Sequence, residues 1–160
     1  MPNFNFEEHP LSGARLTFPF TPLGKAGPKH HAVVLGVNED DGELWIAELS
    51  RKFGYRLVSA MQWFVDNEKY LAGLQVTPNE GPRNNVDVAR SAIDEVIANT
   101  EGNGKGKYHI VLNNCESFAQ RHSTGKNELS PQVAKVFKTA GYVIAAGVLV
   151  LNKHLNQQKN

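Results

Sequence analysis

Apolar and polar positions along this chain fall into runs that predict strands first and helices after them. Arg15 to Phe20 is a short apolar run among Pro- and Gly-rich residues, which predicts a strand ahead of a loop over Thr21 to Lys29. His30 to Leu35 predicts a buried strand and Leu44 to Leu49 a second one. The polar segment between them, Gly36 to Glu43, contains Asp41-Gly42, a dipeptide suited to a tight turn, so the two runs should pair as a hairpin. Tyr55 to Val58 predicts a third strand and Gly73 to Thr77 a further one. Ser59 followed by Gln62 has the spacing of a capping box and should start a helix.

The second half reads as helical. Past the turn-rich stretch Pro78 to Asn85, Val86, Ala89, Ile93, Val96 and Ile97 recur mostly at spacings of three and four, with Arg90 and Asp94 placed for an ion pair one turn apart. Gly102 to Gly106 should end that helix. Tyr108 to Leu112 is strand-like, Cys115 to His122 predicts a short helix that Gly125 helps to stop, and Ser130-Pro131 launches a long helix through about Leu151. The fold class is α+β, an antiparallel sheet packed against helices, with a C-terminal hydrophobic helix.

Composition narrows the function. Hydrophobic residues make up 41% and charged residues 21%, the balance of a folded domain rather than a disordered chain. A net charge of +1 with no basic stripe gives nothing to attract nucleic acid, and none is expected as a partner. The chain has a single cysteine, so no internal disulfide can form, and a lone thiol fits a reducing compartment such as the cytoplasm. Met1 to Pro10 lacks a basic and an apolar region and carries Glu7 and Glu8, unlike a signal peptide, while Pro2 stands where myristoylation needs glycine. One cysteine with scattered histidines offers no zinc spacing, so no metal is expected. Gly102-Asn103-Gly104-Lys105-Gly106-Lys107 precedes a strand rather than a helix, and reads as a turn, not as a phosphate loop. No cofactor is implied.

What remains is the cysteine. Cys115 follows a strand and opens a helix, where partial positive charge and unpaired N–H groups stabilise a thiolate whose pKa is otherwise near ~8.5. Its own N–H is placed to serve as an oxyanion donor. The alternative is a buried cysteine acting as a small apolar residue. Of the six histidines, His9, His122 and His154 lie in polar or terminal stretches and His109 sits inside an apolar strand, which leaves the adjacent pair His30 and His31 as candidate bases. Their side chains must point to opposite faces. If the hairpin closes about Glu39, His30 lies opposite Glu48, Ala32 opposite Ile46 and Val34 opposite Leu44, all on one face. Directly opposed residues have Cβ atoms roughly 4.5–5.5 Å apart, so Glu48 would orient His30. A slip of one residue would set His31 opposite Glu48 instead.

Asn113-Asn114-Cys115-Glu116-Ser117-Phe118 resembles the N-C-E-H-F motif of the lecithin:retinol acyltransferase-like family, and Ser130-Pro131-Gln132 resembles a sequence downstream of it in retinol-esterifying members. His30-His31-Ala32-Val33-Val34-Leu35-Gly36 is similar to the family's histidine strand, and counting back from Gly36 to the family's base position lands on His30. The resemblance spans roughly residues 13 to 151. It implies a circularly permuted papain-like domain over residues 1–130, followed by an apolar helix and polar tail over 131–160. It implies a phospholipid acyl donor, an acyl thioester on Cys115, and His30 as general base and then general acid. Two positions depart from the family: Ser117 and Glu48 each stand where it usually has histidine. A deSUMOylating-type isopeptidase shares a His-bearing strand and an N-C-x-x-F helix, and a non-catalytic membrane-tethered module of the same fold is a third reading. Against the isopeptidase stand Glu116, Ser130-Pro131-Gln132 and the uncharged run Thr139 to Leu151. That run, flanked by Lys135, Lys138, Lys153 and Lys159, is shorter than the ~20 residues a bilayer span needs. Snorkelling lysines extend its reach, and it should place the chain on a membrane surface.

Overall fold

The apolar runs condense into one antiparallel sheet because each alternates between two buried faces. The computed structural model of the chain describes residues 3–6, 9–19, 28–101 and 114–126. Its strands are β1 (Phe4–Asn5), β2 (Arg15–Pro19), β3 (Lys29–Asn38), β4 (Leu44–Ser50), β5 (Gly54–Ser59) and β6 (Gln75–Thr77). They lie in the order β5-β4-β3-β2-β6, with β1 paired to the far end of β3. The helices are α1 (Ala60–Asp66), a short 3-10 helix (Glu68–Gly73), α2 (Asn85–Glu101) and α3 (Cys115–Thr124). The α+β class with an antiparallel sheet against helices is what the periodicity predicts. The predicted stop at Gly102 to Gly106, the strand Tyr108 to Leu112 and the helix from Ser130 to about Leu151 lie outside the described residues. Among the described residues no helix is long and apolar enough to cross a membrane.

Strand alternation divides the core in two. Val33, Leu35, Ala47 and Leu49 face α2 and α3, where they meet Val88, Ala92, Val96 and Phe118. Ala32, Val34, Ile46 and Val58 face the other way, onto Trp63 of α1 and Phe18. The buried stripe of α2 is Val88, Ala89, Ala92, Ile93 and Val96, so it is turned toward Val88 and Ala92 relative to the expected one, and Val86 is only half-buried. Arg90 does not pair with Asp94. Its guanidinium carbon lies 5.6 Å from the centre of the Phe6 ring.

The β3–β4 register departs from the expected one by two residues. Ala32, not His30, stands opposite Glu48, and Val34 stands opposite Ile46. A bulge between Val34 and Gly36 then shifts the pairing so that Gly36 meets Trp45 and Val37 meets Leu44. Because side chains repeat every two residues, a shift of two keeps each on its predicted face, which is why His30 and Glu48 remain on the same side. The capping box at α1 is half made: the Ser59 side chain accepts from the Gln62 N–H, but the Gln62 amide turns to Asp66 instead.

Gly36 holds the bulge where β1 crosses close to β3. Its φ is 145°, and a Cβ there would stand 2.5 Å from the Asn5 carbonyl oxygen. Gly36→Ala should therefore cost about 2–3 kcal/mol, read as a fall in the urea midpoint. Gly42→Ala, at φ 69° in open space, should cost about 1 kcal/mol. Equal small losses for the two would show that the approach of β1 to the bulge is not what fixes glycine at 36.

Candidate active site

Three elements converge at the start of β3. His30 projects toward α1, its ring 5.1 Å from Phe18 and 6.4 Å from Trp63 between centres, the latter nearly parallel at 26°. Its Nε2 lies 2.6 Å from Oε2 of Glu48 on the neighbouring strand. Glu48 is 1% exposed, and its carboxylate collects two further donors. Trp63 Nε1 donates to Oε2 at 3.0 Å, and Arg56 Nε donates to Oε1 at 2.5 Å. Arg56 also reaches Asp66 at 2.6 Å, so its guanidinium is shared between two carboxylates.

Cys115 is the first residue of α3, and the preceding residue explains why the helix begins there. Asn114 has an extended backbone, its side chain accepts from the Ser117 N–H at 2.9 Å, and its carbonyl accepts from Phe118 N–H. At the far end Gly125, at φ 73°, closes the helix by donating to the Arg121 carbonyl. Although α3 packs on the face of the sheet away from α1, its first residue stands at the end of β3, where the sheet stops. There the Cys115 thiol lies 3.6 Å from the Lys29 carbonyl oxygen and shares a cavity with the His30 side chain, whose charged form it favours. Cys115, His30 and Glu48 thus line one cavity of about 260 Å³ on the α1 side, with Phe18, Phe53 and Tyr70 on its walls.

The electrostatics follow from these partners. Burial works against a charged imidazole, but the hydrogen bonds of Cys115 and Glu48 and their charges outweigh it, and the His30 pKa is raised to about 9. Burial opposes the charged form of Glu48 too, yet His30 and Arg56 hold its carboxyl below the usual range. His31 has the opposite fate. It points to the α3 face, and burial together with the charges of Arg15, His30 and Lys29 lowers its pKa to about 3.

The other candidates fall elsewhere. The His9 ring accepts from the Leu11 N–H, and His109 and His154 lie outside the described residues. Ser117, where the family motif has histidine, is 1% exposed. His122 is not the surface residue its polar surroundings predict: it is 4% exposed, its Nδ1 2.9 Å from Ser91 Oγ and its Nε2 3.0 Å from Glu95. Glu95 also binds Arg121 and accepts from Tyr55, and these contacts hold its pKa at about 2 against the opposing effect of burial. The serine–histidine–carboxylate order there is structural: Ser91 Oγ donates to the Val88 carbonyl and accepts from Arg83, so the cluster ties α2 to α3. Ser91 and Glu95 at a helical spacing of four were its one trace in the sequence. Among the described residues no group of three or more His, Cys, Asp or Glu is placed to hold a metal.

No curated protein and no solved structure matches the chain. A family model, Lecithin retinol acyltransferase, matches residues 51–128. The match takes in the Asn114-Cys115 helix start and stops short of the strands that carry His30 and Glu48. Residues 51–128, just under half of the chain, are thus similar to the lecithin retinol acyltransferase family.

Proposed function

We propose that the chain is a thiol-dependent phospholipid acyl hydrolase or acyltransferase, with Cys115 as nucleophile, His30 as proton carrier and Glu48 as the group that orients the imidazole. The observation that carries this reading is the position of one imidazole between a helix-terminal thiol and a buried carboxylate. Glu48 occupies Nε2, so the nitrogen left for the sulfur is Nδ1. As base, His30 takes the thiol proton when the sulfur attacks, and a pKa raised to about 9 lets it hold that proton for the leaving group. Acyltransferase or thiol hydrolase chemistry is what the family match suggests, and the Cys115 position falls inside the matched residues.

The steps follow from that arrangement. The Cys115 sulfur attacks the ester carbonyl, forming a C–S bond and an oxyanion. Asn114 already caps the Ser117 and Phe118 N–H groups, and the Cys115 N–H, on the residue that carries the sulfur, is the donor to meet that oxyanion. The C–O bond then breaks, and His30 delivers its proton to the departing lysophospholipid oxygen. Water, an amine or an alcohol attacks the thioester, gives its proton to His30 and restores the thiol. Phe18, Phe53 and Tyr70 give the cavity an apolar wall suited to an acyl chain. We further propose that Thr139 to Leu151, outside the described residues, holds the chain at the membrane that supplies this substrate.

Incubation with phosphatidylcholine followed by mass spectrometry should find an acyl adduct on Cys115, absent in Cys115→Ala along with all turnover. Undiminished lipid turnover in that variant would end the proposal. The pH dependence has a definite sign. His30 serves as acid in its protonated form, so activity should fall on the alkaline side as pH passes about 9. Glu48→Gln removes a charge that favours the imidazolium, so the same limb should move to lower pH and turnover should drop about 10²-fold or more. An alkaline limb that stays in place would show that Glu48 does not act through His30. For the membrane contact, Ile144→Lys with Val148→Lys in the full chain should reduce co-flotation with phosphatidylcholine vesicles; unchanged flotation would place the contact elsewhere.

A further inference from the structure

The face of the sheet toward α3 is divided by chemistry. Across β3, β4 and β5 it is apolar, with Val33, Leu35, Ala47 and Leu49 in the core. At the other edge the same face turns polar. Arg15 and Thr17 of β2 pair with Thr77 and Gln75 of β6, and Thr17 pairs with His31 of β3. Between this polar strip and Gln120 and Ser123 of α3 lies a cavity of about 480 Å³, larger than the one that holds His30 and Cys115 and on the opposite side of the sheet.

Positive charge gathers in this cavity, and Glu116, the carboxylate that acts on Arg15, is not among the residues that line it. The Arg15 guanidinium donates to Gln120 Oε1 at 3.1 Å and to Ser123 Oγ at 3.4 Å, both neutral acceptors. Neither Arg15 nor Lys29 forms an ion pair among the described residues. Burial lowers the Arg15 pKa, and the charge of Glu116 offsets this only in part. His31, held neutral beside them, registers the same field. Glu80, the acidic residue among those lining the cavity, is exposed. A desolvated cation whose hydrogen-bond partners are neutral and whose charge is only partly offset is costly unless an anion completes the site.

We infer that this cavity is a binding site for a phosphate-type oxyanion, held by Arg15 and Lys29 with the hydroxyl of Thr17 as a further donor. A guanidinium presents paired N–H groups to such an anion, and an ammonium adds a point charge from a second direction. The Lys29 carbonyl that contacts the Cys115 thiol belongs to the same residue whose side chain lines this cavity, so the site begins beside the sulfur. The ligand chemistry is shared by a phosphodiester headgroup and by free phosphate. The inference does not depend on thioester chemistry at Cys115, because binding is read without turnover.

The test is an NMR titration of the full chain, following the His31 ring resonances against inorganic phosphate and, separately, glycerophosphocholine. A saturable shift is expected with at least one probe, and the probe that produces it distinguishes a free phosphate from a headgroup. Arg15→Gln and Lys29→Gln should each weaken that binding by about fivefold or more, whereas Arg90→Gln, which removes the same charge from α2, should leave it within about twofold. Lys29 is half-buried at the strand start, so its variant keeps the test decisive if Arg15→Gln lowers the melting temperature. No saturable shift with either probe would overturn the inference. So would equal weakening by Arg90→Gln, or unchanged affinity in Lys29→Gln.

Discussion

A carboxylate that is 1% exposed must be fully met by donors, and the way Glu48 is met organises the α1 side of the molecule. Trp63 reaches it from α1, Arg56 from β5 and His30 from β3. Each donor comes from a different element, so the helix, the sheet register and the imidazole orientation are fixed together. Arg56 is shared with Asp66 at the end of α1, which ties that helix back to the strand it follows. Removing the carboxylate would leave three buried donors without their acceptor.

The sheet separates two chemical environments that meet at the start of β3. On the α1 side an apolar cavity contains a sulfur, an imidazole and a carboxylate. On the α3 side a polar cavity contains two cations and a neutral histidine. Adjacent residues of one strand serve both, since Lys29 and His31 face one way and His30 the other. The contrast between His30 at about 9 and His31 at about 3 has no source in their own chemistry. Burial disfavours the charged form of both, a carboxylate and a sulfur overcome it on one side, and the charges of Arg15, His30 and Lys29 add to it on the other. The Glu95 cluster does the mechanical part, fixing α3 to α2 and so fixing where the first residue of α3 stands.

Much of this was legible in the residues. The strands about Arg15, His30, Leu44 and Tyr55, the cap at Ser59, and the helix opening at Cys115 all follow from local patterns with local causes. The shared face of His30 and Glu48 was legible too, because alternation depends on parity and survives a shift of two. The register was not, because a bulge at Gly36 and the width of the turn depend on how β1 packs against β3. His122 was misjudged because its polar neighbours in sequence, Arg121 and Gln120, say nothing of Glu95 and Ser91 across the helix interface. The exchange of histidine for Glu48 and Ser117 marked departures from the family motif, but gave no sign of the three donors that surround the carboxylate.

Short-range order determines which residues become strands, which open helices and which way each side chain points, since these depend on neighbours within a few positions. It therefore determined that a thiol would stand at a helix start and that two adjacent histidines would part to opposite faces. Which histidine meets the sulfur, what charge surrounds it and how deeply it is buried depend on segments far apart along the chain. Only the tertiary structure decided those, because distance and desolvation, unlike periodicity, are properties of the assembled chain.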